Sequence, residues 1–229
     1  VLQVFKTVWK NACRKHRWKL EDPLEDKTDY LPKKKKRTFV VLRFAEWEAI
    51  IEAMEPFYRP VAKLMMLTGL IASEIAALKQ SHIRDGYLHI EESIVREVEK
   101  DDLKTDYRGR RYRLTKALSE ILEEAAANSS GEYLFRMNTG KTFTAERFQR
   151  QVWTKALKTA GVEYRKPYIT RHSFAAWSLA IRIDQNRLVS LMGHASKQMI
   201  YETYGKYVEG LEKDRFKILA YFGRDFKRG

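Results

Sequence analysis

The chain has 229 residues, 44% hydrophobic and 32% charged, which supports a buried core and excludes a disordered polypeptide. Forty-four Lys and Arg against 30 Asp and Glu leave a formal charge of +14, an excess that favours a polyanion, nucleic acid foremost, over a membrane surface or adaptation to heat or salt. One cysteine, Cys13, excludes an intrachain disulfide and a thiolate cluster, and five histidines without an H-x-x-x-H pair give no zinc or two-metal pattern.

Residues 1–20 place Val1, Phe5, Val8, Trp9 and Ala12 at helical spacing among Lys6, Lys10, Arg14, Lys15 and Arg17, an amphipathic helix with a basic flank. Asp22 and Pro23 mark its end. We expect it to be the last helix of a domain that continues outside this chain, or else a free-standing helix packed on the main domain. Five consecutive basic residues, Lys33, Lys34, Lys35, Lys36 and Arg37, follow Pro32 as an extended linker suited to a phosphate backbone or simply to solvent.

From Thr38 the pattern is helical: one helix near 43–51, a second near 60–69 after Pro56 and Pro60, and a third short one at 72–78 capped by Ser73. Residues 87–90, 93–99 and 111–114 are expected as three short strands of one small antiparallel sheet, with turns at 84–86 and 101–109. Leu118, Ile121, Leu122 and Ala125 form a helical face, and segments 144–160, 171–182, 184–192 and 196–207 are again helical. The tail from Leu211 to Phe222 repeats an apolar spacing suited to docking in cis or on a neighbouring protomer. The expected fold is mostly α with a small antiparallel β-sheet (α+β). No apolar run approaches the roughly 20 residues of a membrane span and the first residues lack signal-peptide order, so a cytoplasmic setting is expected. No glycine-rich phosphate loop is present, and no cofactor is expected.

Four ordered motifs add chemistry. Thr68-Gly69-Leu70-Ile71-Ala72-Ser73-Glu74-Ile75 resembles the first box, T-G-L-R-x-S-E, of the tyrosine recombinase (phage integrase) family. Lys104-Thr105 ahead of Arg111-Tyr112-Arg113-Leu114 resembles its lysine-bearing hairpin. Tyr168-Ile169-Thr170-Arg171-His172-Ser173-Phe174-Ala175 resembles the H-x-L-R-H-[ST]-x-A box, and Leu191-Met192-Gly193-His194 followed by Tyr204 resembles the closing L-G-H box and nucleophile. The resemblance spans residues 38–210, the expected catalytic domain. It makes residues 1–30 the end of a core-binding domain, 31–37 the basic linker and 211–229 a tail.

The resemblance implies a site-specific recombinase, the integrase of a virus, prophage or other mobile element. Such an enzyme cleaves one strand at a time through a 3′-phosphotyrosyl intermediate, without metal or ATP. Its partners would be double-stranded DNA with specific attachment or crossover sites, three further copies in a homotetramer, and accessory DNA-bending proteins, with no membrane and with nucleoid association once bound. Tyr204 would be the nucleophile, ten residues after His194, with Tyr201 and Tyr207 as competitors. Arg171 would clamp the scissile phosphate through its planar fork. Lys104, with Lys100 nearby, would protonate the leaving 5′-oxygen; His172 and His194 would support the phosphate or the tyrosine; Glu74 would orient a site arginine or histidine.

Two positions depart from the family. Tyr168 stands where the first histidine of the second box is usual, keeping a hydroxyl donor but losing proton exchange near neutral pH. Ile71 stands where the first phosphate-binding arginine belongs, a loss worth about 3–4 kcal/mol of transition-state stabilisation. Ile71 is compatible with an engineered change, with natural loss of activity, or with replacement by Arg84, Arg43 or Arg59. Two other functions therefore stay open: a non-catalytic DNA-binding protein on the same scaffold, and a type IB topoisomerase-like nicking-closing enzyme.

Overall fold

The computed structural model describes residues 2–23, 40–95, 98–100, 109–129, 131–193 and 204–228. The chain divides into two compact units, Val1–Thr38 and Phe39–Gly229. In the first, α1 (Leu2–His16) is the expected amphipathic helix, with Arg14, Lys15 and His16 in its last turn, where cations suit the negative end of the helix dipole. The basic stretch 33–37 lies outside the described residues.

The second unit is built on two helices that are buried on nearly all sides. In α3 (Arg59–Thr68), residues Pro60 to Ala62 and Leu64 to Thr68 are buried. It packs against α8 (Ile169–Ala180), where all but His172 and Leu179 are buried. Two polar groups of α8 hold the neighbouring chain: Ser173 Oγ accepts the Leu42 N–H at 2.9 Å, and Trp177 Nε1 donates to the Leu42 carbonyl at 2.9 Å. That pair pins the chain just before α2 (Phe44–Ala53). The first face of α5 (Lys116–Ala127) is Leu118, Ile121, Leu122 and Ala125, as its spacing predicts, and Thr115 Oγ1 caps it by accepting the Leu118 N–H.

α3 ends at Gly69, whose left-handed φ of 70° lets its N–H return to the Met65 carbonyl at 2.9 Å. A Cβ there would lie 2.5 Å from Phe174 Cδ1, so both backbone and packing require glycine. α4 (Ala72–Ala76) follows, and its cap corrects the expectation for Ser73. Ile71 is the N-cap, in extended conformation, and its N–H is satisfied by Glu74 Oε2 at 2.9 Å reaching back from the first turn.

The sheet also differs from expectation. β1 (Ile83–Arg84), β2 (Tyr87–Ile90) and β5 (Arg110–Arg113) form the antiparallel three-stranded sheet in the order β1-β2-β5. Asp85 (φ 53°) and Gly86 (φ 76°) make the tight two-residue turn between β1 and β2, the left-handed pair that a right-twisted hairpin needs. Residues 93–99 are not its middle strand. They split into β3 (Ser93–Val95) and β4 (Val98–Lys100), a separate hairpin. Along β5, Arg110 and Tyr112 turn inward while Arg111 and Arg113 turn outward, the two-residue alternation of a half-covered strand.

The helix expected over 144–160 is α6 (Ala145–Arg147), a π-helical turn (Phe148–Trp153) and α7 (Thr154–Thr159). α9 (Gln185–Met192) starts on Asp184, which accepts the Arg187 N–H, and ends at Gly193 with a left-handed φ of 60°. Most of the helix expected at 196–207 lies outside the described residues. The tail folds into α10 (Arg215–Phe222) and α11 (Arg224–Arg228), which bury Ile218, Phe222 and Phe226; Phe222 and Phe226 pack against Phe174 of α8. Asp225 accepts the Lys116 N–H at 2.8 Å, so the tail also caps α5 of its own domain. Among the described residues no helix is long and apolar enough to cross a membrane.

Candidate active site

Arg171 lies in the first turn of α8 and is only 7% exposed. Its Nη1 donates to the Gly69 carbonyl at 2.9 Å and its Nη2 to the Met192 carbonyl. One guanidinium thus ties the end of α3 to the end of α9, two corners with glycine caps. Its buried Nε–H makes no hydrogen bond among the described residues. A buried donor without a partner costs about 1–3 kcal/mol, and a phosphate oxygen is an acceptor that would relieve it.

One residue on, His172 Nδ1 lies 3.0 Å from the Tyr204 hydroxyl. Tyr204 is 3% exposed. Burial raises its pKa to about 12, Tyr168 adds to the rise, and Arg171 opposes it. The resting phenol is therefore a poor nucleophile with a hydrogen-bonded imidazole in place to receive its proton. Tyr168 is half exposed and sets its ring edge-on to His172, the centroids 5.0 Å apart. Since Tyr204 ionises with difficulty when folded, its contribution to stability persists below pH ~10 and fades as pH rises towards 12. Difference titration by ultraviolet absorbance, wild type minus Tyr204→Phe, is expected to show one phenolate appearing near pH 12; a midpoint near 10 would contradict the buried placement.

Glu74 is also brought here, with a partner that sequence reasoning missed. Arg110 of β5 holds it with both prongs, Nη1 to Oε1 and Nη2 to Oε2, each at 2.9 Å. The two side chains are 4% and 6% exposed. Burial alone would raise the Glu74 pKa, but the charge and hydrogen bonds of Arg110, with the Ile71 N–H, hold it below the ordinary carboxylate value. Arg110 Nε donates to the Tyr112 hydroxyl at 3.2 Å, and that hydroxyl lies against the carbonyls of Thr68 (2.8 Å) and Leu191. Arg110 lies just before the strand expected at 111–114, and the observed strand begins one residue earlier, which puts Arg110 on the same inward face as Tyr112.

Ile71 sits at the N-cap of α4, half-buried. The three arginines considered as substitutes are engaged elsewhere, which corrects that expectation. Arg84 bonds the Ser81 carbonyl and Glu91; Arg59 bonds the Met54 and Glu52 carbonyls; the Arg43 guanidinium packs on Gly210. Lys104, His194 and Tyr201 lie outside the described residues, and Tyr207 sits in the 3-10 turn Gly205–Tyr207. Between the sheet and α9 is a cavity of about 820 Å³ whose walls include Arg110, Arg111, Arg113 and Arg187. Burial and the nearby Arg113 lower the Arg187 pKa, and the charge of Asp184 only partly opposes them.

The phage integrase family model matches residues 40–208. Two Escherichia coli K12 proteins match shorter stretches: IntQ, described as defective, is 41% identical over 71 residues, 31% of this chain and 18% of the relative. The prophage integrase IntR is 39% identical over 67 residues, 29% of this chain and 16% of the relative. The matched part spans less than a fifth of these relatives. Among solved structures, the Tn1549 transposon integrase in complex with a circular intermediate DNA superposes with a TM-score of 0.75 at 15% identity, over 92% of this chain and 76% of that one. A lambda integrase tetramer bound to a Holliday junction gives 0.66 at 18% identity, over 88% and 57%.

Proposed function

The chain belongs to the phage integrase family, and on that premise we propose that it cuts and rejoins DNA at specific sites through a 3′-phosphotyrosyl link at Tyr204. The observation that carries this is the 3.0 Å contact between His172 Nδ1 and the Tyr204 hydroxyl, directly beside buried Arg171. His172 takes the phenolic proton as the Tyr204 oxygen bonds to phosphorus. The phosphorus–O5′ bond breaks, and the 5′-oxygen receives a proton from Lys104. Charge on the pentacoordinate phosphorus is met by Arg171, whose rigid placement on two carbonyls avoids reorganisation during the step. Tyr168 contributes a hydroxyl donor at the open edge of the site, and His194 supports the phosphate.

Two duplexes present four strands, and one nucleophile per protomer then calls for four protomers, the assembly seen for lambda integrase on its junction. The partners proposed are duplex DNA with attachment or crossover sites and accessory DNA-bending proteins, in the cytoplasm and on the nucleoid. Residues 1–30 would be the end of a core-binding domain and Lys33 to Arg37 a strap along the phosphate backbone, with residues 38–210 catalytic.

The test is a nicked duplex, chosen from a randomised pool by binding to this chain, whose short cleaved fragment diffuses away and traps the covalent product. A denaturant-resistant adduct is expected, slowed about 10²-fold by His172→Ala, with binding that weakens steeply as salt rises. Ile71 favours a second reading, a DNA-binding protein that does not cleave. Tight, salt-sensitive binding with no adduct would support it.

A further inference from the structure

We infer that Arg110 supplies, from β5, the second positive charge at the scissile phosphate that residue 71 does not carry. The inference rests on the strand-cleavage reading above and adds to it a residue outside the four motifs.

Three observations converge on it. The first is place: Arg110 Nη2 and the Ile71 N–H bond the same oxygen of Glu74, so a single carboxylate atom separates the guanidinium from the start of α4. The second is framework. Arg171 is anchored on the carbonyls of Gly69 and Met192, while the Arg110–Tyr112 pair meets those of Thr68 and Leu191, the residues immediately before them. The Arg171 guanidinium and the Tyr112 hydroxyl to which Arg110 donates therefore brace the same two corners. The third is access: Arg110 and Leu191, the residue before the Met192 that holds Arg171, both line the cavity between the sheet and α9, although nearly all of the Arg110 side chain is buried. Burial works against its charge, but the Tyr112 oxygen and the Glu74 carboxylate outweigh burial and keep it protonated.

A purely structural ion pair makes different predictions. If Arg110 only braced α4 against β5, its loss would lower stability and slow cleavage of any phosphate alike. A charge that serves the reacting phosphate is needed only while that phosphate is an anion. Replacing one non-bridging oxygen at the scissile position by methyl gives a neutral methylphosphonate, on which the missing charge matters far less.

The experiment measures single-turnover adduct formation by the whole chain. The variants are wild type, Arg110→Gln, Arg110→Lys, Ile71→Arg and the double variant Ile71→Arg/Arg110→Gln. Each is given the pool-selected nicked duplex with either phosphate or methylphosphonate at the scissile position. Arg110→Gln is expected to lose about 10²-fold or more on the phosphate and less than about tenfold on the methylphosphonate. Ile71→Arg is expected to restore at least about tenfold in the Arg110→Gln background and to change wild type little, because wild type already has two charges. Arg110→Lys, which keeps charge without the fork, is expected to fall between. Thermal melting identifies any variant that fails to fold, and the Lys variant then carries the comparison. Equal losses on both substrates, or no rescue by Ile71→Arg, would overturn the inference while leaving strand cleavage intact. Absence of an adduct from wild type on both substrates would overturn cleavage itself, and the role of Arg110 with it.

Discussion

Replacing Arg171 with lysine is expected to slow covalent capture of the nicked duplex by about 10²–10³-fold while changing DNA affinity by less than about tenfold. The charge survives this change, but the fork does not. A lysine ammonium is a point charge that cannot hold the Gly69 and Met192 carbonyls and face a phosphate at the same time. The end of α3 and the end of α9 would lose their common donor, and a carbonyl left unsatisfied in the core costs about 1–3 kcal/mol. A modest drop in melting temperature should therefore accompany the kinetic loss. Single-turnover kinetics separate the two effects, since Arg171→Lys protein that is folded at the assay temperature still has its phosphate clamp disordered. Cleavage within about threefold of wild type would remove Arg171 from the chemistry.

Removing Glu74 is expected to be the most destabilising single change in the site. Glu74→Ala leaves the Arg110 guanidinium buried without its carboxylate and the Ile71 N–H without its cap acceptor. Breaking a buried ion pair from one side costs about 3–5 kcal/mol. The pair also sets an acid limit. Because the folded-state pKa of Glu74 is depressed, its stabilising contribution is complete above the ordinary carboxylate pKa of about 4.3 and is lost as pH falls through the lower folded value. Denaturant melts of wild type and Glu74→Gln between pH 3 and 7 should converge as the pH falls. Parallel curves across that range would mean that Glu74 is not held as a paired carboxylate.

Much of this arrangement was legible in the chain. The apolar spacing of α3, α5 and α8 is local information, and so is the glycine that ends α3. Arg171, His172 and Tyr204 stand in ordered motifs, and the fold brings His172 and Tyr204, 32 residues apart, into hydrogen-bonding distance. Other features depend on pairings that local pattern does not carry. β1 is two residues long and exists only because the turn at Asp85 and Gly86 returns the chain onto β2. The stretch 93–99 has strand composition, yet it pairs with itself as β3 and β4 and not with β5. Arg110 stands in a run of basic residues that reads as a solvated edge, and its partner Glu74 is 36 residues away. The N-cap of α4 went to Ile71 and not to Ser73 because Glu74, fixed by Arg110, reaches back to the Ile71 N–H.

The two departures from the family pattern also acquire physical content. Tyr168 cannot exchange a proton near neutral pH, but His172 already contacts the nucleophile, with the Tyr168 ring against its edge. Ile71 carries no charge, yet a guanidinium shares the carboxylate that caps it.

The most direct test of the central claim, strand cleavage by Tyr204, is mass mapping of the peptide that carries DNA after capture on the nicked duplex. A nucleotide adduct is expected on Tyr204, joined through the 3′-phosphate and absent from Tyr204→Phe protein that still binds the duplex. An adduct on Tyr201 or Tyr207, or undiminished capture by Tyr204→Phe, would contradict it.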